Sequence, residues 1–152
     1  MASVVPYRDD LRPHFERLNV EWIERWFQVE EPDREVFRDP RGSIITPGGQ
    51  ILFVVEGEAV QGTCALVRRS EDEFELAKMA VAPEARGRGY GDLLMEAAIA
   101  WTREAGGRRL VLVSNSRLAP ALALYRKHGF VEVPLDDDEG YQRANIKLAR
   151  EL

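Results

Sequence analysis

Three glycines, Gly87, Gly89 and Gly91, alternate with larger residues in RGRGYG (residues 86–91), and two of those neighbours are Arg86 and Arg88. Successive main-chain N–H groups in a glycine-rich loop that opens a helix form an anion site, and guanidinium groups add full charges to that partial one. A diphosphate suits such a loop. Composition alone also allows a flexible surface turn, but the strand pattern before the loop and the helical pattern after it favour the cradle. Spacing removes two rivals. A dinucleotide fingerprint needs a further glycine where Asp92 stands, and no Gly-Lys-Ser/Thr run exists for a P-loop. Cys64 is the one cysteine, so neither an intrachain disulfide nor a cysteine-based metal cage can form. It reads as a small buried hydrophobe rather than an acyl-carrying nucleophile. His14 and His128 lack metal-ligand spacing, and no metal is expected.

These residues need a scaffold. Residues 3–6 suit a short edge strand ended by Pro6, and residues 13–27 form a helical pattern through Phe15, Leu18, Trp22, Ile23 and Trp26. Pro32, Pro40 and Pro47 then punctuate a segment with room for one short helix at 34–38. Residues 51–55, 59–68 and 74–81 read as an antiparallel meander with tight turns. After the glycine loop a helix over 92–105 places Leu94, Ala97, Ala98 and Trp101 on one face, and Gly106 and Gly107 stop it. A continuous apolar strand at 109–113 follows, then a helix over 118–128 with Pro120 in its first turn. A strand over 130–133, an acidic loop at 136–139 and a last strand over 142–148 complete the chain. The order implies one α/β domain over 1–152, a mixed sheet with helices on it.

A chain of 152 residues with 45% hydrophobic and 31% charged residues has the composition of a soluble globular domain. Its net charge of −5 argues against a nucleic-acid partner. The first residues lack the basic start and apolar run of a signal peptide, and no run reaches membrane-spanning length. A cytoplasmic protein with no membrane partner is expected.

The stretch RGRGYG resembles the R/Q-x-x-G-x-G/A signature of the GNAT superfamily of N-acetyltransferases, and NSRLAPALALYRKHGF (residues 115–130) is similar to that family's second block. The likeness covers roughly residues 50–134. It implies a central, mostly antiparallel mixed sheet flanked by helices, and acetyl-coenzyme A (acetyl-CoA) as co-substrate. By this resemblance the amides of Arg86, Gly87, Arg88, Gly89, Tyr90 and Gly91 hold the diphosphate. Main-chain groups of Met79 and Val81 line the pantetheine arm, although core packing explains both side chains equally well. Asn115 stands where a strand splays, either as a cofactor contact or as a helix-entry turn residue. Tyr125 matches the tyrosine that protonates the departing thiolate, and Glu75 the glutamate that takes the amine proton, with a strand salt bridge as its alternative. Lys78 and Glu73 read as solvated charges. Glu21 and Trp22 would wall the acceptor pocket, an ammonium being held by Glu21 or Glu24. The implied reaction is direct transfer to a primary amine, of a small molecule or a protein. A non-catalytic acyl-CoA sensor, or an enzyme for another acyl group or acceptor, is the alternative. A homodimer is compatible with the resemblance.

Overall fold

The computed structural model describes residues 1–136 and 143–152. Strand β1 (Ala2–Pro6) leads through a short turn into helix α1 (Arg12–Trp26) and helix α2 (Glu31–Arg38). The meander follows as β2 (Gln50–Glu56), β3 (Ala59–Arg68) and β4 (Glu73–Val81). Then come α3 (Tyr90–Glu104), β5 (Arg109–Ser114), α4 (Ala119–Lys127), β6 (Val131–Val133) and β7 (Ile146–Glu151). One sheet takes the order β1-β2-β3-β4-β5-β7-β6. Its pairs are antiparallel except β4–β5, which is parallel because α3 crosses between those strands.

Several boundaries differ from the sequence expectation, each for a local reason. Helix α2 starts at Glu31 rather than residue 34, because Glu30 and Asp33 form a reciprocal capping box and Pro32 fits the first turn. A wide helical turn at Arg41–Ile45, unforeseen in the sequence, precedes the turn into β2. Helix α3 starts at Tyr90, two residues early, with Gly89 as its left-handed N-cap. The last strand begins at Ile146; the expected start at Gln142, and the acidic loop apart from Asp136, lie outside the described residues. On α1, Phe15, Leu18 and Ile23 are buried as expected, but Trp26 is exposed and Asn19 is buried in the stripe instead. On α3 the buried stripe runs through Leu94, Met95, Ala98, Ile99 and Thr102, with Ala97 and Trp101 at its margin. Trp101 meets Phe74 of β4 edge to face, at 5.5 Å between ring centres, which pins α3 to the sheet.

The sheet's irregularities make the cleft. β4 and β5 pair only from Glu73 to Glu75 against Arg109 to Val111. Beyond that point β4 continues to Val81 and β5 to Ser114 without pairing, so the two strands part. The register between β3 and β4 shifts between Thr63 and Ala65, and opposite this shift Lys78 adopts φ +56. A bulge of this kind bends a strand and re-aims its side chains.

Candidate active site

Pro83 ends β4, and a single turn at Pro83–Ala85 delivers the chain to the glycine loop. Gly87 and Gly89 have φ of +80 and +82, a region that disfavours side chains. A Cβ added at either position would meet no atom within 4 Å, so the backbone there lies open. Gly91, inside α3, plays another part: its Cβ would come within 3.1 Å of Leu124, so it lets α4 approach α3. Among the described residues no acceptor is recorded for the N–H groups of residues 87–92, and intrahelical bonding resumes at Leu93, which donates to the Gly89 carbonyl. These orphan amides sit at the positive end of a fifteen-residue helix. Arg86 and Arg88 are exposed beside them, Arg88 3.3 Å from Glu56. The residues present therefore fit a diphosphate.

Where β4 and β5 part, a cavity opens between them, walled by α1 on one side and by Tyr125 of α4 on the other. Glu75, Met79, Asn115, Tyr125 and Trp22 all line it. Val81 lies at the end of β4, between this cavity and the glycine loop. Glu21 is exposed and outside the lining, so the structure does not bring it to the other candidates. Glu75 is buried, and its Oε1 accepts hydrogen bonds from the guanidinium of Arg69. Asn115 has its side chain engaged at both ends: Oδ1 accepts from the Arg117 N–H and Nδ2 donates to the Arg143 carbonyl. The turn role foreseen for it is thus occupied, while the residue still faces the cavity.

Tyr125 packs against Phe130 and the core, and no partner for its hydroxyl is recorded among the described residues. Burial, with a smaller contribution from the neighbouring Cys64, pushes its phenol up to about 12. Cys64 is fully buried, and burial pushes its thiol to about 12 as well. A thiol kept protonated is a poor nucleophile, in keeping with the packing role read from the sequence.

Lys78 overturns the expectation of a solvated charge. Its side chain is 6% exposed, and Nζ lies 2.6 Å from Oδ1 of the wholly buried Asp33. Arg143 reaches the same carboxylate in fork geometry, at 2.7 and 2.8 Å, and Glu30 at 3.1 Å. Burial pushes the Asp33 carboxyl up, but Arg143 and Lys78 outweigh it and hold the pKa at about 2. Lys78 and Arg143 line the cavity, so its floor is stiffened by an ion network that ties α2 to β4. Nothing in local sequence placed these partners together, because the bulge at Lys78 and the distant Arg143 are tertiary facts. Asn19 was legible in principle: it stands four residues after Phe15 and four before Ile23, on the buried stripe.

The comparisons with known proteins agree with this geometry. The model of the acetyltransferase (GNAT) family matches residues 11–130. Mycothiol acetyltransferase of Corynebacterium glutamicum (strain R) is 31% identical over 80 residues, covering 53% of this chain and 27% of that protein. An uncharacterized N-acetyltransferase of Escherichia coli K12, YjgM, is 33% identical over 109 residues, covering 68% of this chain and 65% of its own length. The chain thus spans about a quarter to two thirds of the curated relatives it matches. An acetyltransferase of the GNAT family from Staphylococcus aureus Mu50 superposes with a TM-score of 0.89 over 99% of both chains, at 16% identity. A phosphinothricin acetyltransferase from Sinorhizobium meliloti, solved in complex with AcCoA, superposes at 0.80 over 99% of this chain and 88% of its own, at 17% identity. These structural likenesses speak for the fold, and the family model speaks for descent: with its parted strands, open glycine loop and cavity tyrosine, the chain belongs to the acetyltransferase (GNAT) family.

Proposed function

We propose that this protein is an acetyl-CoA-dependent N-acetyltransferase that moves an acetyl group directly to a primary amine bound in the same cavity. The observation that carries this reading is the run of partnerless amides at 87–92, lying beyond the part of β4 that has separated from β5 and next to a cavity holding Glu75 and Tyr125. Acetyl-CoA supplies the activated acetyl thioester. The amides of Gly87 to Gly91 hold its diphosphate. The Arg86 N–H, expected from the sequence to join them, instead donates to the Pro83 carbonyl and closes the turn, so Arg86, like Arg88, adds only charge. Main-chain groups of Met79 and Val81 hold the pantetheine arm, with the Val81 N–H turned to the thioester oxygen and Asn115 at the splay. Trp22 walls the acceptor, and Glu21 acts at most from the rim.

Holding both reactants in one cavity supplies a large part of the rate. Glu75 takes the amine proton, directly or through water, at the carboxylate oxygen that Arg69 does not occupy. Tyr125 hydrogen-bonds the departing sulfur. With its phenol at about 12 and a free thiol at about 8.5, full proton transfer to the thiolate is uphill by about 5 kcal/mol. Tyr125 therefore keeps its proton and stabilises the leaving thiolate by the hydrogen bond it donates, and the sulfur takes its proton from solvent. A thiol-release assay with acetyl-CoA tests the reading against 2-phenylethylamine, L-phenylalanine, spermidine and a peptide with a free N-terminal amine. Thiol release with at least one amine, matched by an acetylated product, is expected. Acetyl-CoA binding without release for any of the four would overturn it in favour of a sensing module.

A further inference from the structure

Helix α1 turns Phe15, Asn19 and Ile23 toward the sheet in steps of four, and the middle member is polar. Asn19 is 2% exposed, as deeply buried as Leu18 and Ile23. A polar group at a core position calls for a reason beyond packing. Its Nδ2 donates to the Phe15 carbonyl at 2.9 Å. A carbonyl only accepts, so the NH2 end must face it and the oxygen end is turned away from it. Oδ1 has no hydrogen-bond partner among the described residues, yet the sealed side-chain polar atom without a hydrogen bond among them is Arg109 Nε, 3.3 Å from Glu151, and not this oxygen. Oδ1 is therefore not sealed in the core. Asn19 lines the cavity shared by Glu75 and Tyr125, so that oxygen faces the place where the acceptor would bind.

We propose that Asn19 is the residue that orients the attacking nitrogen, its Oδ1 accepting one N–H of a primary amine; this rests on the acetyl-transfer reading above. A neutral primary amine has two hydrogens. One is held by Asn19, and the other leaves to Glu75 or its water as the new N–C bond forms and the C–S bond breaks. The sulfur departs as a thiolate that accepts a hydrogen bond from Tyr125 and takes its proton from solvent. The lone pair is thereby aimed at the acyl carbon. As positive charge develops on nitrogen, the N–H···O bond strengthens, so it favours the transition state. A secondary amine has one hydrogen, which cannot be both held and given up. Asn19 thus selects primary over N-methylated acceptors.

The test compares wild type with Asn19→Leu and Asn19→Ala on the best acceptor of the four amines named above, and on the N-methyl form of that acceptor. Leu fills the space without a polar group, and the Phe15 carbonyl stays in the helix ladder, so the melting temperature should hold or rise. Expected are a roughly tenfold rise in KM for the amine, the scale of one lost hydrogen bond, a fall in kcat as well because the bond strengthens in the transition state, and an unchanged KM for acetyl-CoA. The preference for the primary over the N-methyl amine should shrink in step. Asn19→Ala keeps the test open should the leucine form fail to fold. A lower melting temperature with unchanged amine KM and unchanged preference would reduce Asn19 to a structural role and leave the acetyltransferase reading standing. No turnover of any amine by the wild type would overturn that reading and this one with it.

Discussion

Tyr125 holds its proton more tightly than an ordinary tyrosine, because burial disfavours the phenolate. It therefore stays protonated through the whole working range. Replacing Tyr125 with Phe should lower kcat by about a hundredfold, the low end for one lost hydrogen-bond donor to charge that develops in the transition state, while the dissociation constant of acetyl-CoA hardly moves. The apparent pKa values of kcat/KM between roughly pH 6 and 10 should be the same in the variant, since Tyr125 does not titrate there. An unchanged kcat would remove it from the chemistry, and the loss of an alkaline limb on substitution would contradict its raised pKa. Cys64, protonated and sealed in the core, should be replaceable by Ala without loss of turnover beyond what reduced stability explains. Among single residues the sequence was informative where a motif fixes a place, as for the glycines and Tyr125. It was misleading for Lys78, whose burial depends on a bulge and on an aspartate 45 positions away.

The glycine loop and the parted strands are where local rules and function meet. Gly87 and Gly89 need positive φ, which the run of alternating glycines advertises, and their open surroundings leave room for a ligand. Gly89→Val should weaken acetyl-CoA binding by an order of magnitude or more, measured by calorimetry, while lowering stability by about 1–2 kcal/mol for the left-handed backbone. Gly57→Val is the control. Gly57 shares the conformation, at φ +61, but sits in the β2–β3 hairpin, so the same strain should leave cofactor affinity intact. Equal losses of affinity in both variants would mean that the loop acts only through stability. The meander, the crossover helix and α4 could be read from periodicity because each buries one regular face. Starts of helices were less legible. Capping by Glu30 and Asp33, and by a left-handed Gly89, depends on side-chain bonds and backbone angles that hydrophobic rhythm does not encode.

Over the whole chain, stability and the site share one set of charges. Asp33 joins α2 to Lys78 of β4 and to Arg143, which lies just before β7. Its pKa is about 2 in the fold against an ordinary 3.8. A depressed carboxyl contributes stability above its unfolded value and loses it as pH falls through the folded one. About 2 kcal/mol should therefore be lost progressively between roughly pH 4 and 2, read from melting temperatures. Asp33→Asn should lower stability by about 3 kcal/mol at neutral pH, the low end for breaking a buried pair because Arg143 keeps Glu30, and should flatten that acid slope. An acid slope as steep in the variant as in the wild type would assign it to other carboxylates.

The account depends most on the grip of the loop amides on a diphosphate. Calorimetry with coenzyme A and with pantetheine, which shares the thiol arm but lacks the diphosphate and the phosphoadenosine beyond it, tests that grip, with Gly89→Val assigning the difference to the loop. Coenzyme A should bind at least a hundredfold more tightly, with most of the difference lost in Gly89→Val. Comparable affinities for the two, or no heat from either, would contradict it.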